Sequence, residues 1–127
     1  MEMLENVQKW LGALPFWQGE LPEIDKLSVK SGAAGLFPLG VKQLEKREDV
    51  LGNVTFLTRY TFLLKKTAVP GMDGTAWCMA VQKAAKQMPP QLGQKDFYAR
   101  EGSFKKNTST GLGMYEIQLV AEMEETI

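Results

Sequence analysis

Few residues of this chain could do covalent or acid–base chemistry, and their surroundings argue against an active site. The sequence contains no histidine, which removes Ser–His and Cys–His nucleophile pairs, imidazole metal ligands and the usual general base near neutral pH. Acetyl transfer to a drug hydroxyl by a histidine base is therefore excluded. The single cysteine, Cys78, lies between Trp77 and Met79 in a predicted helix, where a buried and inert thiol is expected. We predict that the protein is not an enzyme.

Two other patterns suggest chemical motifs but lack the context that those motifs need. Glu48 and Asp49 are adjacent carboxylates, yet neighbouring side chains of an extended segment point to opposite sides, and flanking basic residues compete for them. An ion pair or a solvated turn is expected there. Gly111 and Gly113 suggest a phosphate-binding loop, but a predicted strand rather than a helix follows them. We predict no catalytic, cofactor-binding or metal-binding residues, and no cofactor.

Length and composition set the outer bounds of the fold. A chain of 127 residues corresponds to one domain, residues 1–127, and buries about two thirds of the surface that its unfolded form exposes. One cysteine excludes an intrachain disulfide. No basic start precedes an apolar run, and no apolar window reaches the length of a membrane span. We expect synthesis in the cytoplasm without export, and no membrane partner.

The charges are balanced overall, with 15 basic and 15 acidic residues, but they are not evenly spread. Residues 65–106 carry eight basic and three acidic side chains, a net charge of plus five, whereas residues 107–127 carry four acidic ones, minus four. These segments could meet within one fold or across a subunit boundary, and we favour the first because mixed surface charge is ordinary. The basic footprint of a nucleic-acid-binding protein is absent.

Hydrophobic periodicity predicts two helices. The first runs from about Glu2 to Leu14, because Leu4, Val7 and Leu11 recur at helical spacing and Pro15 follows. The second begins after Asp73, a residue type that caps helices, and continues to Pro89-Pro90, after a turn at Pro70-Gly71. Its predicted buried stripe is Trp77, Val81, Ala84 and Met88.

Alternation predicts the strands. Asn53 to Lys65 is partly apolar on both faces, which is typical of a strand at the sheet centre or of one covered by another subunit, and we favour the first. Lys26 to Lys30 and Gly40 to Arg47 are shorter candidates. A hairpin is predicted from Phe97 to Lys105 and from Met114 to Glu124. In the second strand of this hairpin one face packs, and the other face, which contains Glu116 and Val120, is mostly solvated.

These elements predict an α+β domain in which two helices pack on one side of a mostly antiparallel sheet of about four to six strands. One segment of it, Gly35 to Phe56, indicates an interaction surface. Pro38 and the flanking glycines disfavour a regular helix or central strand, so Leu36 and Phe37 are expected on an irregular connection. A charge cluster and a turn at Gly52-Asn53 follow. The candidate interface residues are Leu36, Phe37, Arg47, Glu48, Asp49, Lys105, Lys106, Glu122 and Glu124.

The same central segment resembles a family of small prophage proteins from the head-to-tail gene block of siphophage-like elements. Members are labelled minor capsid, tail or, misleadingly, chloramphenicol resistance proteins. The residues that carry the resemblance are Gly35-Leu36-Phe37-Pro38 with Gly40, and Arg47-Glu48-Asp49-Val50-Leu51-Gly52-Asn53-Val54-Thr55. Supporting residues are Trp10-Leu11, Phe16, Trp17, Trp77 and the segment Thr110-Gly111-Leu112-Gly113-Met114-Tyr115.

The resemblance implies a virion structural protein with a fold like that of long-tailed phage tail terminators. It implies copies that close into a hexameric ring, which caps the tail tube and docks to the head connector. The implied partners are further copies, the tail tube protein and the connector or completion protein, with DNA only passing through the ring. The implied locations are the bacterial host cytoplasm during assembly and the head–tail junction of the virion. The alternatives are a minor capsid or head-completion protein, and a small-molecule-binding α+β domain.

Overall fold

The computed structural model describes residues 2–17, 21–27, 33–68, 73–106 and 113–126. These residues form two helices and six strands, in the chain order α1 (Glu2–Gly12), β1 (Glu23–Ile24), β2 (Ala34–Glu48), β3 (Val54–Thr67), α2 (Gly74–Gln87), β4 (Asp96–Ala99), β5 (Ser103–Lys106) and β6 (Gly113–Thr126). The predicted α+β class is confirmed. The predicted turn at Pro70-Gly71 lies outside the described residues.

The strands form a single mixed sheet in the order β1-β2-β3-β6-β4, and β5 pairs with β6 beyond the end of β4. The short β1 is parallel to β2, and every other pairing in the described part of the chain is antiparallel. The central position predicted for the strand after Asn53 is confirmed, because β3 lies between β2 and β6. The turn predicted at Gly52-Asn53 is also present, between β2 and β3.

Both helices pack on the same face of the sheet. Leu4, Val7 and Leu11 of α1 are buried, as are Val81 and Ala84 of α2. They pack in one cluster with side chains that alternate along three central strands, namely Leu36, Phe62, Leu64, Ile117, Leu119 and Ala121. Complete burial of a side chain such as Leu or Phe contributes about 1.5–3 kcal/mol, so this layer is the main source of stability.

The ends of the helices follow from their sequences, with two corrections. Asp73 caps α2 as predicted, because its carboxylate accepts a hydrogen bond of 3.1 Å from the backbone N–H of Ala76. α1 ends at Gly12, two residues earlier than predicted. The predicted burial of Met88 is wrong. This residue is the C-cap and is 48% exposed, because α2 ends at Gln87 and the backbone of Met88 is no longer helical, so it does not continue the buried stripe of Ala84 and Ala85.

The prediction that Leu36 and Phe37 lie on an irregular connection is wrong. Both lie in β2, which runs through Pro38 and pairs with β3 along its length. Proline is tolerated there because the register shifts between Pro38 and Gly40, and because β1 pairs only with Gly35 and Leu36, which leaves the next residues on a sheet edge. Leu36 is fully buried in the core, so it is not presented on the surface.

The remaining strands differ from the predictions in detail. The short amino-terminal strand lies at Glu23–Ile24, not at Lys26 to Lys30; of that predicted range, residues 28–30 lie outside the described residues. The first strand predicted for the carboxyl-terminal hairpin is divided into β4 and β5, which pair with different parts of β6. The solvated face predicted for β6 contains two buried residues, Glu116 and Val120. Val120 is covered because it lies between Thr61 of β3 and Tyr98 of β4.

Candidate interaction surface

The β2–β3 hairpin extends beyond the part of the sheet that the helices cover. On β2 every residue from Pro38 to Glu48 is exposed except Leu44, which is half-buried, and on β3 the core cluster ends at Tyr60. We call residues 41–60 the arm and residues 49–53 its tip. The outer edge of β2 along the arm has no paired strand among the described residues, so its backbone groups face solvent.

The tip is held in one conformation by Asp49. Its Oδ1 accepts hydrogen bonds of 2.9 Å from the backbone N–H groups of Leu51 and Asn53, and its Oδ2 accepts one of 2.9 Å from the Asn53 side chain. The hydrogen bond from the Asn53 side chain is the main cause that holds the pKa of the Asp49 carboxyl below its usual range. Gly52 completes the turn at φ +85°, a conformation that other residues rarely adopt.

This turn presents two apolar side chains to solvent. Val50 is fully exposed and Leu51 is 84% exposed. Exposed apolar residues are common singly, but two adjacent ones on a turn fixed by five hydrogen bonds form a preorganised apolar projection. The predicted interface residues beside this turn are the charged Arg47, Glu48 and Asp49, and Val50 and Leu51 are not among the candidates. The signal for Val50 and Leu51 was available: two large apolar residues between Asp49 and Gly52, inside a turn.

Two of the three charged residues predicted at this surface, Arg47 and Asp49, have partners within the chain. Arg47 donates two hydrogen bonds, of 3.0 and 3.1 Å, to the carboxylate of Glu45 two residues earlier on the same strand face. Their hydrogen bond and attraction lower the pKa of Glu45 and raise that of Arg47. Asp49 is engaged by the turn. Glu48 is exposed and has no ion pair in the part of the chain that the structure describes.

The carboxyl-terminal charges also meet within the chain. Lys105 lies 3.3 Å from the buried carboxylate of Glu116, and Lys65 lies 3.8 Å from it. Lys95 lies 3.3 Å from Glu124, another of the predicted interface residues. The favoured interpretation, that the opposed segments meet within one fold, is confirmed for these pairs.

The remaining predicted interface residues are Phe37, Glu122 and Lys106. Phe37 is half-buried in β2, directly after Leu36, and the Lys65 ammonium lies 5.2 Å from its ring centroid. Glu122 is half-buried on the face opposite the helices, paired across the sheet with Arg59. Lys106 ends β5, and its side chain lies outside the described residues. Leu36 therefore lies in the core, and the other predicted interface residues whose side chains are described are spread over β2, the tip, β5 and β6 instead of forming one patch.

A shallow apolar groove lies at the base of the arm. Its volume is about 270 Å³, and it is lined by Pro38, Leu39, Gly40, Val41, Tyr60, Thr61 and Phe62. Leu39 and Val41, which are 50% and 66% exposed, form its outer wall on the free edge of β2. A second open hollow, of about 330 Å³, is lined mostly by polar residues between β4 and β5. Small-molecule sites are usually enclosed and about 300–1,000 Å³ in volume, so these open depressions suit side chains of a partner better.

The described residues show no arrangement of side chains that would support nucleophilic or metal-dependent chemistry. Cys78 is 7% exposed, which confirms the predicted burial, and desolvation raises the pKa of its thiol. No group of three acidic, cysteine or histidine side chains in the described ranges could hold a metal ion. Among the same residues, no helix has the length and apolar character needed to cross a bilayer.

Comparison with known proteins adds no family assignment, since no protein-family model matches the chain and no curated protein matches it significantly. The feature that distinguishes this surface is a fixed apolar tip at the end of an uncovered arm, with an apolar groove at the arm's base.

Proposed function

We propose that the protein is a structural component of a phage or prophage virion, a tail terminator or head-to-tail joining protein that assembles into a ring. In this role it caps the tail tube and docks to the head connector. The observation that carries the proposal is the arm: its tip holds Val50 and Leu51 exposed on a hydrogen-bonded turn, away from the core. Such a projection serves an assembly protein, whose function is contact geometry instead of turnover.

Two further features support this proposal. The central sequence segment that resembles the prophage head-to-tail proteins coincides with β2, the tip and the start of β3, so the resemblance falls on the feature that the fold exposes. Among the described residues, the helices pack on only one face of the sheet, no helix or strand packs on the opposite face, and no strand pairs with the outer edge of β2 along the arm. An open edge, an open face and a projecting tip give one subunit several surfaces for neighbours.

Ring formation follows from general symmetry. A contact between two different surfaces of identical subunits repeats from copy to copy, and it closes into a ring when the rotation at each contact allows. A ring can match the symmetry of a tube below it and offer its other side to a connector. The same surfaces would serve a minor capsid or head-completion protein, and the identity of the bound partner distinguishes these roles.

The test is binding to the tail tube protein encoded by the same prophage. The protein should cosediment with assembled tubes, and the double variant Val50→Lys/Leu51→Lys should lose this binding while keeping its melting temperature. The matched control is Met79→Lys/Met88→Lys, which changes two exposed apolar residues on or at the end of α2. Both proteins gain the same charge, so equal loss of binding would indicate a charge effect.

Two outcomes would contradict the proposal. If the unaltered protein binds neither tubes nor the head connector over a wide range of concentration and salt, the terminator role fails. If it binds the capsid shell in place of the tube, the minor capsid alternative is correct.

A further inference from the structure

We infer that two copies of the protein pair through the outer edges of their β2 strands, so that the two arms lie antiparallel about a two-fold axis beside Leu44. The partner of this free edge is therefore a second copy of the chain. The contact goes beyond the proposed function and does not rest on it. A two-fold contact is complete with two copies, whereas a ring is built from contacts between different surfaces.

The outer edge of β2 is long and accessible. β1 pairs only with Gly35 and Leu36, and among the described residues no strand pairs with the outer side of β2 beyond them. Alternate N–H and C=O groups of an edge strand point away from the sheet, where another strand can pair with them. Because the arm projects past the helices, a second arm can approach this edge.

A bulge in the middle of the arm restricts which strand can pair there. Gln43 faces Thr58 on the side of the sheet that carries the helices, whereas Glu45 faces Leu57 on the opposite side. Leu44 therefore shifts the alternation of side chains by one residue. A regular strand could follow the outer edge across Leu44 only with a register shift of its own. A second β2, turned about a two-fold axis, brings its own bulge opposite the first, and the two shifts cancel.

Charge selects between the registers that this symmetry allows. Only two registers continue across both bulges with facing side chains on the same side of the sheet. One places Lys42 opposite Glu45 of the second copy, and the other places Lys42 opposite Arg47 of that copy. Opposite charges that face each other across an antiparallel pair stabilise it, and like charges destabilise it. The first register is therefore favoured, and in it the Lys42–Glu45 pair forms twice.

The surroundings of these side chains fit the same register. Within the chain Lys42 faces Arg59 of β3, a like charge, and it has no ion pair in the part of the chain that the structure describes. Glu45 of the second copy lies on its other side and compensates its charge. Arg47 of the second copy lies opposite Gly40, where a Cβ atom would meet nothing within 4 Å, so its long side chain has room.

A charge exchange between two proteins tests the contact. Lys42→Glu and Glu45→Lys should each weaken self-association about tenfold, measured by light scattering against concentration, because like charges then face each other twice. An equimolar mixture of the two variants should regain the original affinity, since every facing pair in the mixed dimer is again of opposite charge. Mixing cannot restore a variant that has merely misfolded. Lys83→Glu, which reverses an exposed charge on α2, is the control and should leave association unchanged.

Cysteine cross-linking reads the register. In a Cys78→Ala background, Val41→Cys and Lys46→Cys proteins are mixed and oxidised mildly. These positions face each other in the favoured register, where Cα atoms lie about 4.5–5.5 Å apart, within the limit of about 7 Å for a disulfide. We expect a mixed disulfide. The control mixes Val41→Cys with Glu48→Cys, because these positions face each other only in the disfavoured register.

Three outcomes overturn the inference. They are a protein that stays monomeric over a wide range of concentration and salt, a mixture of the charge variants that associates no better than either alone, and a Glu48→Cys product that equals or exceeds the Lys46→Cys product. The proposed function is tested separately by tube binding. A monomer that binds tubes overturns the two-fold contact alone, and a two-fold dimer that binds neither tubes nor the head connector overturns the proposed function alone.

Discussion

The two ends of β2 lie in one strand but in different environments. At its amino-terminal end Ala34, Gly35 and Leu36 are buried, and Leu36 belongs to the core cluster that also contains residues of both helices and of β3. At its carboxyl-terminal end nearly every residue is exposed, although the backbone is paired with β3 as regularly as before, apart from two register shifts. Pairing alone therefore does not decide where stability resides. The packed end supplies the apolar burial that folds the domain, and the arm keeps its shape through backbone pairing and a hydrogen-bonded turn.

The largest expected effect is a difference in the free energy of unfolding between substitutions at the two ends of β2. Leu36→Ala removes a fully buried side chain and leaves a cavity, so we expect a loss of about 2–5 kcal/mol in the free energy of unfolding. Val41→Ala, a smaller truncation at an exposed position on the same strand, should change it by less than about 0.5 kcal/mol. Urea denaturation measures both. Similar losses for the two variants would show that the arm is part of the cooperative core.

A smaller, local effect should follow from removing the carboxylate at the tip. Asp49→Ala deletes three hydrogen-bond acceptor contacts, so the amides of Leu51 and Asn53 should exchange with solvent several-fold faster while the melting temperature stays nearly unchanged. Amide exchange by NMR measures this. Arg47→Ala, which removes only an exposed pair on the same arm, is the control.

The tip of the unaltered protein should loosen in acid for the same reason. The folded pKa of Asp49 lies below its unfolded value, so its stabilisation is complete above the unfolded value near 3.8 and is lost as the pH falls through the folded pKa. Asp49→Ala should lack this dependence. A pH-dependent tip in that variant would assign the effect to another carboxyl group.

The smallest effect concerns the ion pair that joins the two regions. Lys95 precedes β4 in the packed half, and Glu124 lies near the end of β6 beside the arm. Both side chains are about half exposed, so Lys95→Ala should change the free energy of unfolding by only about 0–1 kcal/mol. A double-mutant cycle with Glu124→Ala, in low and high salt, isolates the pair. A larger coupling that resists salt would mean that electrostatics, not backbone pairing, holds the arm to the packed half.

The sequence was sufficient where local chemistry and burial point in the same direction. Asp73 before a helical stripe predicted the cap of α2, and alternation on two apolar faces predicted that β3 is central. It was insufficient at Pro38, which suggested a break. The strand continues there because the register shifts and the outer edge is free, and neither property is local to the residue.

The exposure of the segment before the tip was predicted, but the apolar residues that the turn exposes were not. The segment around Arg47 and Asp49 is exposed as expected, yet these charges are bound to neighbours, and the apolar Val50 and Leu51 are what the turn presents. Apolar residues in a sequence are usually assigned to a core, since exposure depends on what else reaches them. Val120 shows the opposite error. It was predicted on a solvated face, but it is buried because two adjacent strands cover it.

The pairing of β3 on both sides has a mechanical consequence. Residues 55–67 of β3 are bonded to β6, and nearly the same residues are bonded to β2. A pull on the tip directed along the arm moves β2 and β3 together and loads the β3–β6 ladder in shear, where many hydrogen bonds must fail together, and does not open that ladder bond by bond. A sideways pull on β2 meets only one ladder. The arm is thus strong along its own axis and weak across it, a directional stiffness that suits a part under tension between larger bodies.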